Sequence, residues 1–220
     1  KYALGVGNWT EGMIMVCKAL GLKKSDEIIT VSNSFIATCG AIAHYGSKPI
    51  LIDVDHTYNI DINLIKKKIN KKTKAIMPVH LSGIPSNLDE IKKICKKNKL
   101  IFIEDAAHAF GGKYKNKQLG TIGDIGIFSL HPRKNFHVYG DGGLIVTNKK
   151  KIFDKLKLIR NHGLKNRNQA LIWGTNSRLD NLQASFANFF LKKINKINSK
   201  YLKIEKYYNK HLNKIVVTPY

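Results

Sequence analysis

Short apolar runs alternate with amphipathic stretches along most of this chain, and that alternation confines it to the α/β class. Residues 2–6, 27–31, 49–54, 75–79, 100–104, 126–130 and 143–147 read as strands, apolar enough for a sheet covered on both faces. Asn8 followed by Glu11 marks a helix start, after which Met13, Val16, Cys17 and Leu20 recur at helical spacing and are expected to face the core. Residues 34–45 read as a small-residue helix and residues 60–69 as another, with Lys66, Lys67 and Lys68 on its wet side. Ser86 is expected to cap a helix whose Leu88, Ile91 and Cys95 point inward while its lysines face water. After Lys149 the pattern turns helical, and from Leu179 onward it is largely long helix. No repeat or low-complexity linker interrupts it, so residues 1–178 read as one domain and residues 179–220 as a helical extension.

Charge is the feature most apt to mislead. The 38 Lys and Arg outnumber the 15 Asp and Glu, giving a formal net charge of +23 that invites a nucleic-acid assignment. Only Arg133, Arg160, Arg167 and Arg178 are arginines, however, which leaves 34 lysines. Lys substitutes poorly for the bidentate base and phosphate contacts of Arg, so the excess is expected to be a solvated surface rather than a nucleic-acid face. With 43% hydrophobic residues the chain is not disordered as a whole, and no run approaches the ~20 apolar residues of a membrane span. Cys17, Cys39 and Cys95 lack paired spacing, which argues against a disulfide framework or a zinc site and for a reducing, cytoplasmic setting. No metal site is expected. The sequence opens on Lys1 at the edge of a strand-like run, as a piece of a longer protein would.

Three segments have the composition of sites. Gly5-Val6-Gly7-Asn8-Trp9-Thr10 is a strand, a glycine turn and a helix start; it lacks the third glycine and acidic partner of a dinucleotide fingerprint. It suits an anion bound at a helix N-terminus, or simply a strand-to-helix turn. In the second segment Glu104 and Asp105 end an apolar strand and His108 follows, placing a carboxylate where α/β sheets bind ligands; a helix cap and a structural histidine would give the same letters. In the third, Ser129 and Lys134 leave an apolar strand ahead of Gly140-Asp141-Gly142-Gly143. A lysine beside an apolar strand can have its pKa lowered enough to form a Schiff base.

Taken in order, these blocks resemble the DegT/DnrJ/EryC1/StrS family of pyridoxal-phosphate sugar aminotransferases, together with Ser34-Phe35-Ile36-Ala37-Thr38, Pro78-Val79-His80-Leu81, Arg160-Asn161-His162-Gly163 and Asn176-Ser177-Arg178-Leu179-Asp180. The resemblance implies a fold-type-I large domain, a mixed and mostly parallel sheet flanked by helices. It also implies an N-terminal segment and a small C-terminal domain that this sequence largely lacks, so the piece alone is expected to turn over poorly.

Residue by residue, Lys134 matches the lysine that carries the cofactor as a Schiff base, and Asp105 the carboxylate paired with the pyridine nitrogen. His108 and Phe35 match residues lying against the ring. Trp9, through its amide, with Thr10 and Ser129 matches the phosphate cradle; Trp9 is bulkier than the small residue usual there. Asn176 matches an asparagine that relatives supply to the phosphate from a neighbouring subunit, implying a homodimer. The implied reaction moves an amino group from an amino acid, glutamate foremost, to a nucleotide-linked ketosugar. A subgroup with histidine at the lysine position deoxygenates instead, and Lys134 sets this chain apart from it. The alternatives are a non-catalytic fragment, a sugar dehydratase relative and a basic nucleic-acid-binding domain.

Overall fold

The protein is described here by a computed structural model covering residues 1–212 and 214–217. Residue 213 and residues 218–220, part of the expected helical extension, lie outside the described residues. The chain runs β1 (Tyr2–Val6), α1 (Trp9–Leu20), β2 (Glu27–Val31), α2 (Ala37–Tyr45), β3 (Lys48–Ile52), α3 (Ile62–Lys68), β4 (Thr73–Met77), a 3-10 turn (Leu81–Gly83), α4 (Leu88–Asn98) and β5 (Ile101–Asp105). A small hairpin, β6 (Lys113–Tyr114) and β7 (Lys117–Gln118), precedes β8 (Ile125–Ser129), β9 (Gly143–Thr147) and α5 (Lys150–Arg160). A second hairpin, β10 (Leu164–Asn166) and β11 (Gln169–Ala170), leads to α6 (Asn181–Leu191) and α7 (Ile194–Leu212).

Seven strands form one sheet in the order β1-β9-β8-β5-β4-β2-β3. β9 runs antiparallel to both neighbours and every other pairing between adjacent strands is parallel, so the sheet is mixed and mostly parallel. The two-residue period of the strands divides their side chains between two cores. Ile28, Ala75, Met77, Ile103, Ile125 and Ile127 pack with α1 and its neighbours on one face. Ile29, Ile76, Phe102 and Phe128 pack with Ile65, Leu88, Ile91, Ile94 and Cys95 of α3 and α4 on the other. The lysines of α3 and α4 are exposed, as the helical spacing predicts. The cysteines are free, and burial pushes the thiols of Cys17 and Cys95 up to about 12.

Several boundaries differ from expectation for tertiary reasons. Asn87, not Ser86, caps α4: its side chain accepts from Glu90 N at 3.3 Å. Ser86 is buried and spends its hydroxyl on Asn59 Oδ1 at 3.1 Å. α2 begins at Ala37 rather than residue 34, because Ser34 turns its hydroxyl onto Thr38 at 2.7 Å. Val54 and Val79, expected to end strands, survive only as isolated bridges to Ile60 and Asp105. The long helix is divided into α6 and α7, and among the described residues α6 buries no side chain and α7 only Ile194. Among the described residues no helix is long and apolar enough to cross a membrane.

Candidate active site

The carboxyl ends of the parallel strands define the edge where α/β sheets bind ligands, and the register decides what meets there. Val6, Gly143 and Ser129 lie abreast across β1, β9 and β8, and Asp105 pairs with Ile127 one strand further in. A side chain on Gly143 would sit 2.8 Å from the Asn8 carbonyl carbon, so glycine here lets the start of α1 close over the row. Asn8 Oδ1 accepts from Glu11 N at 2.8 Å and fixes that first turn. Thr10 is half-buried beside it, whereas the Trp9 side chain is turned into the core with Val6 and Met13. The indole therefore leaves the helix N-terminus to backbone and hydroxyl groups, although its Nε1 has no partner among the described residues.

Asp105 is 2% exposed and accepts two hydrogen bonds, from Thr38 Oγ1 at 3.1 Å and from Ala107 N at 3.1 Å. Burial nevertheless pushes its carboxyl up to about 6, against the pull of those donors, His80 and Lys134. Lys134 is half-buried, and desolvation, reinforced by Arg133, holds its amine below the ordinary lysine range despite the attraction of Asp105. His108 is also held low, first by burial and then by Lys134, and its Nδ1 accepts from Ser82 N at 3.3 Å. Lys134 thus acts electrostatically on both Asp105 and His108. Ser129, buried at the end of β8, accepts from His131 N at 3.3 Å and so ties the row to the loop that carries Lys134.

Two expected residues stand apart from this group. Phe35 is 71% exposed and is linked to it only through its carbonyl, which accepts from Thr38 N at 2.9 Å. Asn176 is exposed and lines a groove of ≈ 370 Å³ with Asn8, Glu11, Arg178 and Asp180, a groove that includes neither Asp105 nor Lys134. The segments around it brace the β1–α1 turn: Arg160 donates to Gly5 O at 2.9 Å, and Ser177 Oγ accepts from Gly7 N at 3.2 Å.

Sequence reasoning missed Thr38 and His80 as members of the site. Thr38 is the donor that meets Asp105 across 67 residues of chain, and the signals for it were its hydroxyl at i+4 from Ser34 and its place in the Ser34–Thr38 block. His80 donates its backbone N–H to Asp105 O at 3.0 Å and its ring to Glu104 at 3.1 Å.

The sequence matches the model of the DegT/DnrJ/EryC1/StrS aminotransferase family over residues 1–219. The chain belongs to this family. It is 41% identical over 186 residues to the "Pleiotropic regulatory protein" of Geobacillus stearothermophilus, a match covering 84% of this chain and 50% of that one. It is 39% identical over 213 residues to dTDP-3-amino-3,6-dideoxy-alpha-D-galactopyranose transaminase of Aneurinibacillus thermoaerophilus, covering 96% of this chain and 59% of the relative. The crystal structure of NtdA from Bacillus subtilis with bound cofactor PMP matches with a TM-score of 0.89 and 33% identity, covering 98% of this chain and 49% of NtdA. The chain therefore spans roughly half to three-fifths of the length of these relatives. Its sheet and flanking helices are those of the fold-type-I large domain.

Proposed function

We propose that this chain is the cofactor-binding part of a pyridoxal-phosphate-dependent aminotransferase that moves an amino group from an amino acid, glutamate foremost, to a nucleotide-linked ketosugar. The observation that carries it is Asp105: a buried carboxylate with two hydrogen-bond donors among the described residues, raised to about 6, is a charge that a cationic partner would satisfy. A protonated ring nitrogen fits that need. Lys134, with its amine already lowered, suits reaction with an aldehyde, and the α1 N-terminus beside Thr10 and Ser129 suits a phosphate. Bound there, the cofactor supplies an electron sink for breaking and remaking the C–H bond at the amino-bearing carbon. Asp105 keeps a proton on the ring nitrogen. Lys134, as a free amine, would take that carbon's proton and return it across the nitrogen to the carbon that had been the cofactor's aldehyde. His108 and Phe35 would be the residues lying against the ring, Phe35 from its exposed position.

Residues 1–178 then form the cofactor domain and residues 179–220 lead toward a second one. Asn176, exposed and away from its own chain's Asp105 group, completes the phosphate site of a second subunit in a homodimer. The free cysteines accord with a cytoplasmic enzyme. Nucleic acid has no part in the function; the lysine surface helps draw in an anionic nucleotide-sugar.

Cofactor uptake tests this. Protein supplemented with pyridoxal phosphate is expected to gain a visible absorption band that borohydride erases, leaving a mass label on Lys134, and Lys134→Ala is expected to show neither. No band in the wild type, together with an unaltered Lys134→Ala protein, would sink the proposal. Conversion of nucleotide-linked ketosugars in the presence of glutamate, read by mass spectrometry, then identifies the substrate.

A further inference from the structure

The loop carrying Lys134, between β8 and β9, has no helix or strand of its own, so side-chain contacts must fix its place relative to the segment bearing Asp105 and His108. Asn135 Nδ2 donates to Phe110 O at 2.8 Å and to Asn198 Oδ1 at 3.2 Å. Asn198 Nδ2 donates to the same Phe110 O at 3.3 Å. Two amide side chains thus converge on one carbonyl, two residues beyond His108 and one residue beyond Lys134. Phe136 stacks on Phe110 with ring centroids 3.9 Å apart and planes 18° from parallel, closing the same junction from its apolar side. The fit is close. A Cβ on Gly111 would lie 2.6 Å from Asn198 Nδ2, and Gly111 has a φ of +82°, so only glycine admits the amide there. Asn198 belongs to α7, anchored one turn earlier by buried Ile194, which packs in one cluster with Leu130, Phe136 and Val138. Asn135 Oδ1 is buried with no partner among the described residues, so every hydrogen bond found for that amide runs through Nδ2.

Resting on the role proposed above for Lys134, we propose that Asn198 is a positioning residue. It reaches from α7 to lock the lysine loop onto the segment that bears Asp105 and His108, and so fixes where the Lys134 amine stands. Without it, Asn135 keeps one acceptor and can pivot about Phe110 O.

The test uses the full chain with pyridoxal phosphate as probe. The rate at which the aldehyde becomes attached to Lys134 is followed by borohydride quenching and peptide mass spectrometry, with visible circular dichroism per attached cofactor as the orientation signal. Asn198→Ala and the nearly isosteric Asn198→Leu, which removes both the acceptor and the donor, are expected to slow attachment roughly three- to tenfold, the worth of one net hydrogen bond, and to weaken the dichroism. Ser199→Ala, one exposed position along, is expected to match the wild type. Thermal unfolding is measured alongside, and should Asn198→Ala fail to fold, Asn198→Leu decides. Wild-type rate and dichroism in the folded Asn198 variants would overturn the positioning role while leaving the Lys134 assignment intact. Variants that melt earlier but keep full dichroism would overturn it too, in favour of a merely structural contact. Absence of label on Lys134 in the wild type would overturn both.

Discussion

Glu104 and Asp105 are neighbours at the end of β5, equally withdrawn from water at 0% and 2% exposure, yet they titrate in opposite directions. As successive residues of a strand they face opposite sides of the sheet. On its side Glu104 collects Gly120 N at 2.8 Å, Ile122 N at 2.7 Å, Gly123 N at 2.6 Å and the His80 ring at 3.1 Å. Ser86 N donates to His80 Nδ1 at 3.4 Å, which orients the ring so that Nε2 faces Glu104. Burial pushes the Glu104 carboxyl up, but His80 and those amides outweigh it and hold the group below the ordinary glutamate range. Asp105, with two donors, is left at about 6. Equal burial produces a finished structural anchor on one face and an under-satisfied charge on the other. An unmet buried charge is where a ligand of opposite sign gains most.

The largest effect that would break this contrast concerns the cofactor. Asp105→Asn is expected to weaken pyridoxal-phosphate binding by about two to four orders of magnitude, in line with the roughly 3–5 kcal/mol lost when one partner of a buried charge pair is removed. Titration of the visible band checks it, and unchanged affinity would mean that Asp105 pairs with nothing. Glu104→Gln is expected to act on stability instead, costing about 3 kcal/mol because the new amide confronts backbone donors. Urea unfolding measures this. The wild-type contribution is present above the unfolded glutamate pKa and is lost as pH falls through the lower folded value; the variant is expected to lack that acid-side loss.

A smaller effect has the opposite sign. In the protein without cofactor, the folded state binds the Asp105 proton more tightly than the unfolded chain does, so this residue's contribution to stability declines as pH rises from about 4 to about 6. The rise from 3.8 to about 6 corresponds to about 3 kcal/mol at 1.36 kcal/mol per pH unit. Asp105→Asn escapes that cost but sets its own amide against one donor, losing about 1 kcal/mol. The cofactor-free variant is therefore expected to be about 2 kcal/mol more stable than wild type at pH 7 and less stable at pH 4. Calorimetry across that range reads the crossover.

Much of this arrangement was legible in the sequence because it is written locally. The apolar runs placed every strand of the large sheet, and a carboxylate ending one strand and a lysine following another marked the sheet edge from which Asp105 and the Lys134 loop emerge. What escaped depends on partners distant in the chain. Glu104 and Asp105 carry equal promise as letters; only the amides of residues 120–123 on one side and Thr38 on the other separate them. Ser86 and Asn87 are both good caps, and a buried contact with Asn59 chose between them. No Gly or Pro marks the interruption of the long C-terminal helix at Lys192–Lys193, and Asn198 looked like one more polar residue on a lysine-rich helix.

The finest adjustment of the contrast lies with Thr38, because it supplies one of the two donors Asp105 has among the described residues. Thr38→Val keeps the shape of the side chain and removes the hydroxyl, leaving Asp105 Oδ2 without its 3.1 Å donor and Ser34 without its 2.7 Å partner. A hydrogen bond to a charged acceptor favours the charged form, so its loss is expected to move the Asp105 carboxyl further above about 6. The stability cost is set by the protonated acid, the form that can do without the donor, and is expected to be about 1 kcal/mol at low pH, growing as pH rises. Carboxyl-region infrared titration of the cofactor-free protein, with Asp105→Asn as the subtraction control, reads the midpoint directly. An unmoved midpoint would show that burial alone sets Asp105 apart from Glu104, and that the number of donors on each face of β5 does not.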